Sequence, residues 1–172
     1  MNFSYLNNQV YPGHQVPLKP KVSVCLITYA HENYLDTCLQ NILNQEVDFA
    51  YEVIIGEDCS PDKTAEIVKK YAEQFPEKIK AFIRPQNAGA KINFLHCFFE
   101  CQGEYIVHIE GDDYWTNQNK LQKQVDFLDQ NPSASACFHN AEILFEDGSN
   151  KPNQIINTPD QANWTYTKDF FK

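Results

Sequence analysis

Residues 105–115 read YIVHIEGDDYW. The first five side chains favour a β-strand, and the run then ends in three carboxylates, at Glu110, Asp112 and Asp113. Carboxylates crowded in this way repel one another unless a cation or hydrogen-bond donors meet them. Hard divalent metal ions that carry phosphate ligands suit such a cluster. The stretch therefore predicts a metal-assisted site for a nucleoside diphosphate at the carboxyl end of a strand.

Strand patterns and helix patterns alternate along the rest of the chain. Strands that alternate with helices of about three turns indicate βαβ units. We therefore predict an α/β fold of the Rossmann-like, doubly wound kind, with a mostly parallel sheet flanked by helices. The predicted strands are 22–28, 51–56, 78–83, 105–109 and 134–145, and the predicted helices are 33–44, 61–75 (with Ser60 as its N-cap), 92–101 and 119–129.

Polar residues follow four of these strands at the point where each strand ends. They lie at 28–31, at 57–60, at 86–89 and at 110–113. In a doubly wound sheet, ligands bind beyond the carboxyl ends of the strands. We therefore expect the four groups to converge on one site.

The length of 172 residues suits one domain with a sizeable core. Residues 1–20 are polar and are punctuated by Pro12, Gly13, Pro17 and Pro20, which predicts an extended N-terminal arm. The domain itself is predicted to cover residues 21–172.

Charge and hydropathy exclude several classes of protein. The formal net charge is -9 and no dense basic patch occurs, which disfavours nucleic-acid binding. No apolar run approaches the roughly 20 residues that a membrane span needs, and the first residues do not have the pattern of a signal peptide. A cytoplasmic location is therefore expected.

Two common nucleotide-binding loops are absent from the sequence. A Rossmann dehydrogenase has Gly-x-Gly-x-x-Gly after its first strand, but residues 28–32 read TYAHE. A P-loop needs a glycine-rich turn that ends in Gly-Lys-Ser/Thr, and no such turn occurs. A metal ion is therefore the expected partner of the phosphates.

Four motifs, in this order, resemble those of the family 2 glycosyltransferases, which have the GT-A fold. Residues 21–29 (KVSVCLITY) resemble the opening strand of the family, and 57–64 (EDCSPDKT) resemble its acidic second-strand end. Residues 87–89 (NAG) are similar to its Asn-x-Gly motif, and 103–113 (GEYIVHIEGDD) resemble its lead into the Asp-x-Asp motif. The resemblance covers residues 21–147 and implies a nucleotide-sugar-binding domain.

The resemblance implies a role for each matching residue. Asp112 would ligate Mg²⁺ or Mn²⁺, which bridges the diphosphate of the donor. Asp58 would accept a hydrogen bond from the base, with uracil and hence a UDP-sugar as the expected donor. The remaining residues expected to contact the nucleotide sugar are Thr28, Tyr29, Glu57, Asn87, Asn93, Glu110, Gly111 and Asp113.

Some positions depart from the family's pattern. Ala30 stands where the family often has Asn, and Cys59 stands where Gly is usual.

An inverting transferase also needs a general base for the acceptor hydroxyl. In this family that carboxylate lies well beyond the Asp-x-Asp strand, so we expect it beyond Lys172 and expect the domain to be truncated on its acceptor side.

The implied activity is metal-dependent transfer of a sugar, with inversion, to a saccharide or lipid-linked acceptor in polysaccharide biosynthesis. Two alternatives are a catalytically incomplete module that only binds the nucleotide sugar and, less favoured for want of a basic glycine-rich loop, a nucleotidyltransferase. A purely structural interaction domain is third. Peripheral association with the inner face of the membrane and self-association through uncovered apolar surface are further expectations.

Overall fold

A five-stranded sheet lies at the centre of the computed structural model, which describes residues 2–11, 13, 16, 19–145 and 151–156. In spatial order its strands are β1 (Gln9–Tyr11), β4 (Ile79–Ile83), β3 (Tyr51–Glu57), β2 (Val22–Thr28) and β5 (Tyr105–Glu110). β2 to β5 run parallel, and β1 is antiparallel to β4. The predicted, mostly parallel sheet is confirmed, and the observed bounds of β2 to β5 lie within one residue of the predicted ones.

The helices of the described residues are α1 (Leu35–Leu43), α2 (Thr64–Gln74), α3 (Ala90–Glu100) and α4 (Lys120–Gln130). α2 packs against α1 and β4, whereas α3 packs against β2 and β3. Parallel crossovers are almost always right-handed. β2, β3 and β4 advance in one direction along the sheet and β5 lies on the other side of β2, so this rule puts α1 and α2 on one face and α3 on the opposite face.

β2 and β3 are buried along their whole length, as the central strands of a parallel sheet covered on both faces should be. β5 alternates instead between exposed residues and residues that are partly or, at Ile109, fully buried. The strand order reverses between β2 and β5. This reversal is the topological switch point, beside which doubly wound sheets bind their ligands.

The described part of the predicted N-terminal arm is packed onto the sheet instead of extending away from it. Ser4–Leu6 form a 3-10 turn that buries Phe3 and Leu6, and Gln9–Tyr11 pair with residues 81–83 of β4. This pairing satisfies an edge of β4 that would otherwise be open. The segment is too short and too polar to show the alternation by which an edge strand is recognised from sequence.

The chain divides into two compact units, Met1–Gln122 and Lys123–Lys172. In the second unit, the strand predicted at 134–145 is wrong except for β6 (Glu142–Ile143), which pairs with β7 (Gln154–Ile155). A strand needs a hydrogen-bonded partner, and the apolar pattern of 134–145 contains no information about one. Phe138, within the segment 134–145, is 89% exposed.

None of the described helices combines the length and the apolar character that crossing a bilayer requires.

The contact between α3 and β3 allows a test of the packing. A Cβ atom on Gly56 would collide with Asn93 Oδ1 and would lie 2.5 Å from Cys97 Sγ. We expect Gly56→Ala to lower the free energy of unfolding by about 1–3 kcal/mol, because α3 must move away from the sheet. Urea denaturation measures this change, with Glu73→Ala on the exposed side of α2 as the control. An unchanged free energy of unfolding for Gly56→Ala would contradict this packing.

Candidate functional site

The carboxyl ends of the parallel strands lie side by side and are tied together by backbone hydrogen bonds. The Asp58 N–H donates to the carbonyl oxygen of Thr28 at 3.1 Å, and the Gly111 N–H donates to that of Ile27 at 3.0 Å. β4 runs parallel beside β3, so its carboxyl end lies at the same edge. The predicted convergence of the four polar segments on one edge is confirmed.

Thr28, His31 and Gly111 fill the crevice between the ends of β2 and β5. The Thr28 hydroxyl and His31 Nδ1 are 3.2 Å apart, within hydrogen-bond distance. A Cβ atom on Gly111 would lie 2.5 Å from Thr28 Oγ1 and 2.8 Å from His31 Nδ1. Gly111 is one of the residues expected to contact the nucleotide sugar, and the observed neighbours that require a glycine here are these two side chains.

The acidic cluster after β5 faces solvent. The side chains of Glu110 and Asp112 are 56% and 48% exposed. His31 Nε2 lies 3.7 Å from Asp112 Oδ2, and the Asp113 N–H donates to the Glu110 carbonyl oxygen at 3.1 Å. In the described part of the chain, no three His, Cys, Asp or Glu side chains are placed to hold a metal ion together. A cation at this cluster would therefore need further ligands from a bound molecule.

The thiol of Cys38 lies beneath this cluster and is affected by its negative charge. Cys38 is fully buried, and its sulfur lies 3.6 Å from the Glu110 carbonyl oxygen. Burial, together with the charges of Asp113 and Asp112, raises the pKa of Cys38 to about 12. The thiol stays protonated at neutral pH, so it adds no charge beneath the cluster.

Glu57 is fully buried and shapes the loop between β3 and α2. Its carboxylate accepts hydrogen bonds from the N–H groups of Ser60 at 2.7 Å and Cys59 at 3.2 Å. The predicted N-cap role of Ser60 is wrong, because α2 begins at Thr64 and the Ser60 hydroxyl accepts the Ala30 N–H at 3.0 Å instead. These hydrogen bonds connect the loops after β2 and β3.

Asp58 is 2% exposed and holds the turn at residues 87–89. Its two carboxylate oxygens accept the N–H groups of Ala88 at 2.8 Å and Gly89 at 2.9 Å. The Asn87 side chain donates to the Asp58 carbonyl oxygen at 3.0 Å. The predicted site residues Asp58 and Asn87 therefore lie together, each bonded to the backbone of the other's loop.

A buried arginine completes this arrangement. Arg84 Nε lies 3.4 Å from Asp58 Oδ1, and both side chains are fully enclosed or nearly so. Its Nε and Nη2 donate to the Asn93 side-chain oxygen at 3.0 and 2.6 Å, and the Asn93 amide donates to the Gly56 carbonyl oxygen at 2.8 Å. The pKa of Arg84 is lowered from its usual value because the side chain is buried, and the negative charge of Asp58 opposes this shift only in part.

Asn93 is not at the rim where its sequence position suggested a ligand contact. It is 1% exposed, and both ends of its amide are hydrogen-bonded inside the protein. Side chains about half a turn apart on a helix face opposite sides, and residue 93 falls on the sheet side of α3. We therefore no longer count Asn93 among the residues that contact a donor.

Two non-glycine residues of the rim have a left-handed backbone. Ala30 has a φ of 58° and Cys59 has a φ of 61°. These are the two positions at which the sequence departs from the Asn and Gly of the resembling family, and Asn and Gly are the residues that tolerate this conformation best. Tyr29, next to Ala30, is 46% exposed, so its ring is available at the rim.

Neither Arg84 nor His31 was among the site residues predicted from the sequence. A signal for Arg84 exists, because a cation that directly follows the predicted strand 78–83 is a candidate partner for a buried acid. For His31 no such signal exists, since its neighbour Asp112 is far along the chain.

Comparisons with known proteins identify the family of the chain. The model of the family described as Glycosyl transferase family 2 matches residues 23–172. An uncharacterized protein of Mycobacterium tuberculosis is 38% identical over 74% of this chain and 37% of its own length. The putative teichuronic acid biosynthesis glycosyltransferase TuaG of Bacillus subtilis is 30% identical over 76% of this chain and 50% of its own length. The chain thus spans about a third to a half of the length of these curated relatives.

Two solved structures have a similar fold. Residues 1–349 of Staphylococcus aureus TarS, in complex with UDP, superimpose with a TM-score of 0.56 and 30% identity over 64% of this chain and 32% of that chain. The mannosyltransferase PcManGT of Pyrobaculum calidifontis, in complex with GDP-Man and Mn²⁺, gives a TM-score of 0.59 over 67% of this chain and 34% of that chain. At 23% identity, the second likeness is evidence for the fold alone.

The mostly parallel, doubly wound sheet and its likeness to TarS show that the fold is that of the GT-A glycosyltransferases. Within that class, the chain belongs to glycosyl transferase family 2, because the family match covers residues 23–172. The resemblance noted in the sequence is thereby confirmed.

The left-handed backbone of Ala30 can be tested by replacing this residue with glycine. We expect Ala30→Gly to raise the free energy of unfolding by about 1 kcal/mol, because glycine removes the Cβ clash of a left-handed residue. The matched control is Ala65→Gly in α2, where the same change should lower that free energy by about 0.5–1 kcal/mol. Chemical denaturation of both variants measures the two effects, and a loss of stability in Ala30→Gly would contradict the left-handed assignment.

Proposed function

We propose that this protein transfers a sugar from a nucleoside-diphosphate donor, with UDP as the expected nucleotide, to a saccharide or lipid-linked acceptor, with inversion. The observation that carries the proposal is the rim itself: the exposed Asp112 and Glu110 lie beside the β2–β5 switch point, on the same edge of the sheet as the ends of β3 and β4. Membership of family 2 and the 30% identity to TarS, whose structures contain UDP and UDP-GlcNAc, support it.

The donor set of the acidic cluster fits a divalent cation. Mg²⁺ is usually bound through one or two carboxylates together with substrate phosphates, and keeps several water ligands. Asp112 would ligate the ion, Glu110 would contact it through water or bond the ribose, and the diphosphate would supply the remaining ligands. When bound, Mg²⁺ or Mn²⁺ would offset the charge of the departing nucleoside diphosphate. In a protein of net charge -9, such an ion also lets an anionic donor approach.

The chain's own residues would hold the other parts of the donor. Thr28 and the exposed ring of Tyr29 would form the wall of the nucleotide pocket, and Asp113 would orient the sugar. Asp58 is 2% exposed and both of its oxygens hold backbone amides, so the base would bond it at a carboxylate lone pair that the Ala88 and Gly89 amides leave unused. Glu57 and Asn87 act one step further away, because both are engaged in shaping the loops.

Binding of UDP should stabilise the protein in a metal-dependent way. At a UDP concentration about 100-fold above Kd, we expect a stabilisation of about 2.7 kcal/mol, or a rise in Tm of about 5–10 °C, in the presence of Mn²⁺. The isosteric change Asp112→Asn should abolish the Mn²⁺-dependent part of this rise, because the amide no longer offers a charged ligand. A thermal-shift panel of UDP, GDP, CDP, dTDP and ADP, each with Mn²⁺ or EDTA, measures it.

The matched control for this panel is Glu104→Gln, which removes a carboxylate near the opposite end of β5. Glu104 is 60% exposed and pairs with Lys21 at 3.0 Å, so its loss should not alter the response to UDP. No shift with any nucleotide in the wild-type protein would overturn the proposed donor site. A shift with GDP alone would support the proposed donor site but identify GDP, and not UDP, as its nucleotide.

A second candidate function is donor binding without transfer. Among the described residues, no carboxylate is placed as the general base for an acceptor hydroxyl. Of the late acidic residues, Glu142 is exposed and accepts a hydrogen bond from Asn153 at 3.0 Å. The others lie outside the described residues: Glu146, Asp147, Asp160 and Asp169.

Release of UDP from a UDP-sugar separates the two functions. We expect the wild-type protein with Mn²⁺ to release UDP over time, and Asp112→Asn to do so about 100-fold more slowly, because the leaving group loses its charge stabilisation. A coupled assay for UDP, run with and without saccharide acceptors, gives the rates. Intact donor after long incubation, together with a positive thermal shift, would assign the binding function instead.

A further inference from the structure

The N-terminal segment, residues 2–11, lies outside the family match, which begins at residue 23. One of its side chains nevertheless reaches the network beneath the rim. The Asn8 side-chain oxygen accepts a hydrogen bond from Arg84 Nη1 at 2.9 Å. The segment is anchored for this contact on both sides of Asn8, by the buried Phe3 and Leu6 before it and by β1 after it.

Arg84 depends on such acceptors because its guanidinium is buried. Its side chain is 0% exposed, so each N–H needs a partner inside the protein. Asn93 serves Nε and Nη2, and His96 Nδ1 lies 3.2 Å from Nη2. Asn8 is the acceptor for Nη1 among the hydrogen bonds of the described residues. Without Asn8, the Nη1 N–H of the guanidinium would have no acceptor, and rotation of the side chain toward another acceptor would be favoured.

Rotation of Arg84 would change the rim by altering the position of the Asp58 carboxylate. Arg84 Nε lies 3.4 Å from Asp58 Oδ1, the same oxygen that accepts the Ala88 N–H at 2.8 Å. The other oxygen holds the Gly89 N–H at 2.9 Å. The orientation of the Asp58 carboxylate thus fixes the turn at 87–89, and Arg84 is the cation that compensates its buried charge.

We propose that Asn8 is a positioning residue of the nucleotide site, and that the N-terminal segment presets the turn at 87–89 through Arg84 and Asp58. The proposal rests on the proposed function in one respect, namely that this turn borders the base of the bound nucleotide. The path runs from Asn8 to Gly89 through side chains that are nearly all enclosed. It leaves out the exposed cluster at Asp112, so the effect of Asn8 is independent of the metal.

The first measurement needs no ligand. Asn8→Leu removes the acceptor at similar size, whereas Asn8→Asp keeps an acceptor for Arg84. Gln9→Ala is the control at the neighbouring position, because the Gln9 side chain is exposed and donates to the Tyr11 hydroxyl at 3.1 Å. In hydrogen exchange of the free protein, the amides of Ala88 and Gly89 should exchange about tenfold faster in Asn8→Leu. The amides of β2 and β3 should be unchanged, and Asn8→Asp and Gln9→Ala should behave like the wild type.

The second measurement is the affinity for UDP by calorimetry, with Mn²⁺ and with EDTA. We expect Asn8→Leu to weaken UDP about tenfold under both conditions and Asn8→Asp to restore the affinity. Asp112→Asn should weaken it with Mn²⁺ only. A purely structural role would lower Tm without this metal-independent loss and without rescue by Asp.

The two measurements separate the possible failures. If the wild type does not bind UDP, the proposed function fails, whereas the exchange rates still decide whether Asn8 presets the turn. If the wild type binds UDP and Asn8→Leu binds it equally well with unchanged exchange at 88 and 89, the positioning role is overturned. Should Asn8→Leu not fold, the same measurements on Asn8→Ala decide the question.

Discussion

The buried ion pair of Asp58 and Arg84 is the constraint on which the rim depends. A charge removed from water is tolerated only when it is paired and its remaining hydrogen-bonding groups are satisfied. Here the carboxylate gains two backbone N–H donors from the turn at 87–89, and the guanidinium gains the side chains of Asn93 and Asn8. The requirement to satisfy one pair therefore brings together the ends of β3 and β4, helix α3 and the N-terminal segment.

The acidic residues of the rim divide into two kinds by burial. Glu57 and Asp58 are enclosed and use their oxygens to hold backbone N–H groups, so they build the loops. Glu110 and Asp112 are about half exposed, so their oxygens are accessible to a cation and its ligands. This difference in exposure, more than the number of carboxylates, makes the end of β5 the candidate metal position and the end of β3 its rigid support.

The loops of the rim also carry backbone strain and tight packing. Ala30 and Cys59 are left-handed without being glycine, and each directly follows a residue proposed to line the nucleotide pocket. Such conformations cost about 1–3 kcal/mol and persist where surrounding bonds fix them. Here the fixing bonds are the Ala30 N–H to Ser60 and the Cys59 N–H to Glu57. The strain is therefore held by the same loop hydrogen bonds that shape the site.

The sequence by itself located β2 to β5 to within one residue at each end and indicated the doubly wound topology and the convergence of four polar segments. Apolar periodicity and strand–helix alternation are local and survive in any single sequence. Only the tertiary structure decided where polar side chains point. In it, Asn93 faces the sheet, and the Ser60 hydroxyl accepts the Ala30 N–H. Residues 134–145 mostly lack a partner strand, and Arg84 donates to Asn8. These outcomes depend on partners distant in sequence, which periodicity does not encode.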